Sequence, residues 1–545
     1  MAPTAASYLR IDPGQLIEEE TLPNYRADRY YPVHIGQVFD SRYRVVGKLG
    51  YGTASTVWLC RDSHAEKTTY RAVKVYVNSL KHHRELPIYK HINGVDSVHG
   101  GQVDVRKMFE AFTICGPYGE HICLVHEPCG ISLGELKSRA KGKRLDADLL
   151  RQGLRNVLSG LQYLHEEAKV IHTARKQLYL VAIWGVANLA FSDLHPDNIL
   201  MGIHEQRDAS VLPEIEKSEE ESPAPRKELP DRIIYQSYRM PLTNGLPVIS
   251  DLGEARLAGD KPHHGLVMPS VYRAPEVILG MSWSYPIDIW SFGMMAWDLS
   301  EPRRLFRVQD SQGRYSEEHH LAQMVALLGP PSLEFLERSE NSWKYWNRDG
   351  TWKSHVPIPG DITLEAAEQR LEAEEKQLFL TWLRKMLQWR PEDRASSQDV
   401  FFDEWLCADL LASGEVTTTY YTTQHELATR AFTTSTKAAL KFNIPGGEKF
   451  LKAQIKKQNP DSDPEKLWDG VKNVEAHAED KYGEKAAYVQ PQGSTAHTSG
   501  TDPTETRNWI TLSVHTEGGG RLASYHVFED GTFTPKETRA GGGKK

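Results

Sequence analysis

Apolar and polar positions alternate from residue 43 to 59, over Tyr70-Arg71-Ala72-Val73-Lys74-Val75-Tyr76, and at 108–115 and 121–126, which predicts a series of β-strands. The first two strands are joined by small residues within Lys48-Leu49-Gly50-Tyr51-Gly52-Thr53-Ala54-Ser55-Thr56-Val57-Trp58-Leu59. Past residue 128 the period lengthens, and apolar residues at 149–166 recur at helical spacing. A further strand signal stands at Leu246-Pro247-Val248-Ile249-Ser250. The chain therefore reads as α+β, its β-rich part first and its helical part after.

Three stretches fall outside this pattern. Residues 1–42, with several prolines, tyrosines and the acidic run Glu18-Glu19-Glu20, read as an extended leader. A charged segment at about 205–245, strongly acidic from Glu216 to Glu221, lacks the apolar content to fold alone and reads as a disordered insert. Residues 412–422 are a polar linker. The remainder, 423–545, reads as a small appended α+β region, or a fused neighbouring gene, of unknown function. It has helical periodicity at 424–455 and a β-hairpin of Trp509-Ile510-Thr511-Leu512-Ser513-Val514 and Ser524-Tyr525-His526-Val527-Phe528 around Gly518-Gly519-Gly520.

Composition narrows the class. A chain of 545 residues, 39% hydrophobic and 25% charged, can bury a core and exceeds one ordinary domain. A net charge of −8 argues against a generally nucleic-acid-binding surface. The five cysteines show neither a C-x-x-C pair nor zinc-like spacing, as expected of free thiols in a reducing compartment. No basic segment followed by an apolar run stands at the N-terminus, and the longest apolar run, 178–191, falls short of the about 20 residues a bilayer span needs. Cytoplasm or nucleus, without membrane attachment, is the expected location.

The chemistry concentrates in Asp193-Leu194-His195-Pro196-Asp197-Asn198, preceded across an interruption by Val170-Ile171-His172-Thr173. By itself that stretch reads first as a turn with an Asx cap, and the glycine turn equally as a plain hairpin. Lys74, in the middle of an apolar strand, is hard to bury without an anionic partner. Glu85, in His83-Arg84-Glu85-Leu86-Pro87-Ile88-Tyr89, is the first candidate and Glu110 the poorer one, with Pro87 ending the following helix early or standing in its first turn. Further on come Asp251-Leu252-Gly253, Val271-Tyr272-Arg273-Ala274-Pro275-Glu276, Asp288-Ile289-Trp290-Ser291-Phe292-Gly293 and Trp389-Arg390-Pro391-Glu392-Asp393-Arg394-Ala395.

In this order the motifs resemble those of eukaryotic-type serine/threonine protein kinases over about residues 43–411: the glycine-rich loop, V-A-I-K, H-x-D-x-x-x-x-N, D-F-G, A-P-E and D-x-W-S-x-G. The wording around Gly50, Thr173, Leu252 and Tyr272, with a charged insert between Asn198 and Asp251, is most similar to fungal members of the SR-protein-specific kinase family. The resemblance implies a bilobal protein-kinase-like fold, with a β-rich N-lobe at 43–128 and a helical C-lobe at 129–411. It implies ATP and Mg2+ in the cleft and protein substrates, Arg/Ser-rich ones connected with splicing among them. Asp193 would serve the substrate hydroxyl, with Lys74 and Asn198 completing the catalytic set. Leu49, Gly50, Gly52, Ser55, Val57, Ala72, Lys74, Glu85 and Glu127 would line the nucleotide site, Glu127 at the hinge, and Asn198 and Asp251 would hold the metal. Asp288 would brace the catalytic loop's backbone, and Arg394 would pair with Glu276.

Three positions depart from the pattern. His195 stands where such kinases carry lysine, and Pro269 where many carry threonine. Residues 174–192 separate His172 from Asp193, which the family keeps one residue apart. Removing them restores the motif in frame, and 187–192 can be encoded by codons holding a branch-point-like sequence and a pyrimidine-rich stretch ending in AG. A translated intron and a true apolar insert are the two readings, the second leading to a pseudokinase scaffold. A choline- or aminoglycoside-kinase-type phosphotransferase shares D-L-H-P-x-N, but lacks the later motifs.

Overall fold

The alternation at 43–59 folds as two strands of a six-stranded antiparallel sheet. In the computed structural model these are β2 (Tyr43–Tyr51) and β3 (Ser55–Asp62), accompanied by β1 (Val38–Phe39), β4 (Tyr70–Tyr76), β5 (Met108–Gly116) and β6 (Gly119–His126), in the order β1-β2-β3-β4-β6-β5. The structure describes residues 8–78, 84–173, 194–259, 262–360 and 362–413, and in the tail 441–442, 474, 488–498, 506–515, 521–528 and 533–535. Helix α1 (Glu85–Asn93) crosses between β4 and β5 in sequence, with Pro87 in its first turn, where the missing N–H costs nothing.

Both faces of this sheet are apolar, so both must be covered. Val46, Leu59 and Leu124 join the main core with α1. On the other face Val45, Trp58, Val73, Val75, Cys123 and Val125 are buried beneath Val33 and Phe39 of the leader and Tyr235 of the charged insert. Tyr235 meets Trp58 edge to face at 5.8 Å.

This corrects the expectation of disorder at about 205–245. The segment holds α4 (Val211–Glu221) and a hairpin of β9 (Arg226–Glu228) and β10 (Ile233–Tyr235). Read alone, its charges have no core to join. In the fold several of them find partners: Arg226 lies 2.6 Å from Glu219, and Lys227 2.9 Å from Glu20 of the leader. The leader is likewise not simply extended, carrying two short 3-10 turns and β1.

The second half is helical around α6 (Pro286–Ser300), which is buried on nearly every side and so apolar on every side. Preceding it are α2 (Leu133–Arg139), α3 (Ala147–Gln162, ending in a π turn), the short strands β7 (Val170–Ile171), β8 (Ile199–Met201), β11 (Pro247–Ile249) and β12 (Arg256–Leu257), and α5 (Pro275–Ile278). Among the described residues no helix is long and apolar enough to cross a membrane, and all five cysteines are free.

The chain divides into two compact units, 1–95 with 101–407, and 96–100 with 408–545. The second carries a five-stranded sheet in the order β13-β14-β15-β16-β17: Lys441–Phe442, Tyr488–Thr498, Thr506–His515, Arg521–Phe528 and Phe533–Pro535. In it Trp509 to Val514 pairs antiparallel with Phe528 to Ala523. Residues 441–442 lie within the stretch of helical periodicity, yet they form a strand, because a parallel partner in Tyr488–Thr498 overrides local spacing. The rest of 424–455 lies outside the described residues.

Candidate active site

Lys74 gains its anionic partner from the next helix. The ladder sets Lys74 opposite Val57 on one side and Leu124 on the other, so its side chain leaves the sheet toward α1. There its ammonium lies 2.8 Å from Glu85 and 3.2 Å from Asp251. Glu110 instead takes Arg42 at the sheet's far end. Burial alone would pull the Lys74 ammonium down, but Asp251 and Glu85 more than offset it and hold its pKa above the ordinary value. Burial raises the Glu85 carboxyl, with Lys74 offsetting part of the rise. Asp251 has about half of its side chain open to solvent; partial burial pushes it up, and Lys74 outweighs that, leaving it below the usual carboxylate range.

A hairpin places Asn198 beside Asp251. Strands β8 and β11 pair antiparallel with Ile199 opposite Ile249, so the residue before one and the residues after the other lie at the same end. Ser250 N–H donates to the Asn198 carbonyl at 2.9 Å. Asp251 sits at φ 60°, a left-handed conformation that aspartate tolerates better than most residues. Two carboxylates then share one lysine, and the surplus negative charge beside an asparagine amide suits a divalent cation. The glycine-rich turn also fits a phosphate cradle, since a Cβ at Gly50 or Gly52 would meet nothing within 4 Å.

Of the other predicted residues, Leu49 lies partly buried on β2, and Ser55 and Ala72 are buried on β3 and β4. Val57 sits opposite Gly50 as well as Lys74. The Glu127 carbonyl, at the end of β6, accepts from the Arg106 guanidinium at 2.8 Å and 3.2 Å. Arg106 also donates its backbone N–H to Ile249; sequence reading missed it, and no local pattern marks it. Asp193 lies outside the described residues, as do 174–192.

The flanks of that stretch are held firmly. Val170 and Ile171 pair with β12. Asp288, at the start of α6 and 1% exposed, accepts the backbone N–H of His172 at 2.7 Å and of Thr173 at 3.1 Å. His165 closes on the same carboxylate at 2.9 Å. Thr173 has a positive φ of 50°, strained for a β-branched residue, and its hydroxyl donates to the Glu254 carbonyl. Burial pushes the His172 imidazole down, toward its neutral form. On the other flank His195 is buried, its Nδ1 3.2 Å from Asp197 N and 3.4 Å from the Asp197 carboxylate. His195, Asp197, Lys137, Tyr272, Asp298 and Arg304 face a cavity of about 170 Å³. Gly134 on α2 permits this packing, because a Cβ there would collide with Asp197. Deeper in the core Arg394 grips Glu276 with two bonds, of 2.6 Å and 2.7 Å.

A sheet-and-helix cleft with a lysine–glutamate pair and an aspartate on the lysine is the arrangement of the protein kinase fold. A solved kinase domain has that fold in common with it, at a TM-score of 0.50 and 24% identity, covering 69% of this chain and 98% of the other. The family model for the protein kinase domain matches residues 233–406. Serine/threonine protein kinases of two Aspergillus fumigatus strains are 40% identical over 411 residues, covering 74% of this chain and 95% of each relative. The serine/threonine-protein kinase SRPK of Physarum polycephalum is 31% identical, covering 71% of this chain and 92% of its own length. The chain belongs to the serine/threonine protein kinase family, whose members use ATP with a divalent metal and phosphorylate proteins.

Proposed function

We propose that this kinase transfers the ATP γ-phosphoryl group to serine or threonine of Arg/Ser-rich, splicing-related proteins in the cytoplasm or nucleus. The observation that carries the nucleotide site is the Lys74 ammonium shared between Glu85 and Asp251. In this reading Lys74 orients the phosphates, with Glu85 fixing its direction, and the glycine-rich loop covers them with backbone N–H groups. Asp251 and Asn198 would hold the divalent cation, magnesium here, which supplies charge neutralisation when bound. Asp193 orients the substrate hydroxyl and takes its proton.

One observation supports the substrate class, the likeness to two relatives. The mouse SRSF protein kinase 3 is 25% identical over 71% of this chain and 90% of its own length, alongside the Physarum SRPK. Phosphate incorporation into an Arg-Ser repeat peptide and into the same peptide with alanine for arginine tests this, with Asp193→Asn as control. The reading expects the arginine peptide to win and the variant to bind ATP without transferring phosphate. Equal rates on both peptides would sink the substrate class; full transfer by the variant would sink the role of Asp193.

Residues 174–192 favour a scaffold as the second reading if they are translated. Tryptic peptides decide this: VIHTDLHPDNILMGIHEQR means the stretch is absent from the mature protein, whereas VIHTAR means it is present.

A further inference from the structure

The leader and the charged insert meet the glycine-rich loop's own strand. Lys48, on β2 two residues before Gly50, is 1% exposed. Its ammonium contacts Glu19 and lies 3.3 Å from Glu18, both of the leader. Glu18 in turn accepts the Ser237 N–H at 3.1 Å, and Glu20 takes Lys227. The insert closes the cluster, since Tyr238 N–H donates to the Lys48 carbonyl at 2.8 Å. Three acids in a row thus tie the leader, β2 and the insert together.

From that anchor the leader passes the end of β4. Asn78 donates its backbone N–H to the Arg29 carbonyl at 3.0 Å and its side-chain amide to the Asp28 carbonyl at 2.8 Å. Arg232 of the insert donates to the Tyr30 carbonyl at 3.3 Å. Tyr30 itself is buried against Tyr25, with ring centroids 5.2 Å apart, and its hydroxyl donates to the carbonyl of Gly52 at 2.9 Å. Gly52 is the second glycine of the loop, and its N–H closes the turn on the Ser55 carbonyl.

A peptide unit is planar and trans, so its C=O and N–H point opposite ways. Holding the Gly52 oxygen on a tyrosine hydroxyl fixes where the Thr53 N–H points, and it stops the peptide from turning a carbonyl oxygen toward an anion. We propose that Tyr30 is a positioning residue for nucleotide binding, pinning the tip of the glycine-rich loop, and that the leader and charged insert form the latch that keeps it there. The inference rests on the reading of that loop as the phosphate cradle.

Tyr30→Phe keeps the ring and removes the bond. ATP affinity, measured by calorimetry on the full-length chain, is expected to fall by about three- to tenfold, the range one neutral hydrogen bond spans. Amide exchange across 50–56 is expected to quicken, with the melting temperature unchanged. Arg232→Gln, which frees the Tyr30 carbonyl from the insert side, is expected to shift affinity the same way by a smaller factor, and it serves if Tyr30→Phe does not fold. Faster exchange with parental affinity would overturn the proposal, as would parental values of both. A parent that binds no ATP would instead fail the phosphate-cradle reading, a result distinct from parent and variant binding it equally.

Discussion

Two charged clusters lie in the same unit, and they are built to opposite plans. Around Glu276 and Arg394 every charge is matched: the guanidinium and the carboxylate meet through two bonds, and both side chains are sealed from solvent. Around Lys74 the count does not close, because one ammonium serves two carboxylates, and Asp251 is half open to the cleft. A saturated buried pair holds structure and has nothing left to offer a ligand. An unsaturated one carries a charge that only something from outside can complete.

Breaking the saturated cluster carries the largest expected effect. Arg394→Ala leaves Glu276 buried without its cation, which costs about 3–5 kcal/mol; urea unfolding followed by circular dichroism should show that loss, or no folded protein at all. The cleft should respond in the opposite sense. Asp251→Asn is expected to lower phosphoryl transfer by at least about a hundredfold, as the loss of a group that acts on developing charge does, while changing unfolding free energy by less than about 1 kcal/mol. If Asp251→Asn destabilised the fold as much as Arg394→Ala, the distinction between the two clusters would be empty.

The cleft was legible in sequence for a physical reason that does not extend to its supports. A lysine inside the apolar strand Ala72-Val73-Lys74-Val75 demands a carboxylate, and the next helix offers one eleven residues on. Asn198 and Asp251 are marked by short motifs at the two ends of a hairpin. Arg106 and Tyr30 carry no such mark, since what they bind is a backbone carbonyl 21 and 22 residues away. The insert's order was hidden for the same reason. Lys227 finds Glu20 across 207 residues, and composition read in a window cannot see a partner at that distance. Asp193 was legible as a motif member, but it lies outside the described residues.

Asp288 stands between the two plans, a buried carboxylate bonded by two backbone N–H groups and the His165 imidazole rather than by a lysine or arginine. Asp288→Asn turns one acceptor oxygen into a donor facing an N–H. The expected cost is about 1.5–3 kcal/mol, the range for hydrogen bonds to charged groups. Because the bond to Thr173 holds a positive φ next to the interruption, transfer should fall with stability here, unlike at Asp251. Paired measurements of melting and rate check this; a variant that melts early and works at the parental rate would separate the brace from the chemistry.

The smallest effect concerns a carboxylate that neither plan provides for. Asp104 is buried, and burial raises its carboxyl to about 6, only partly offset by hydrogen bonds from Asn156 and Ser159. Unfolded, it would titrate near its ordinary value of 3.8. Between those two values the folded protein holds a proton that the unfolded chain has released, so Asp104's contribution to stability falls as pH rises from about 4 to about 6, then levels off. Asp104→Asn keeps an acceptor for Asn156 without the ionisation, and it should remove that part of the decline, leaving the variant about 1–2 kcal/mol more stable at pH 7 and little changed at pH 4. Urea unfolding of both proteins at pH 4, 5, 6 and 7 tests the sign. Parallel curves would mean that Asp104 holds no proton in the fold between about pH 4 and 6 that the unfolded chain has released, and the buried carboxyl would not be raised.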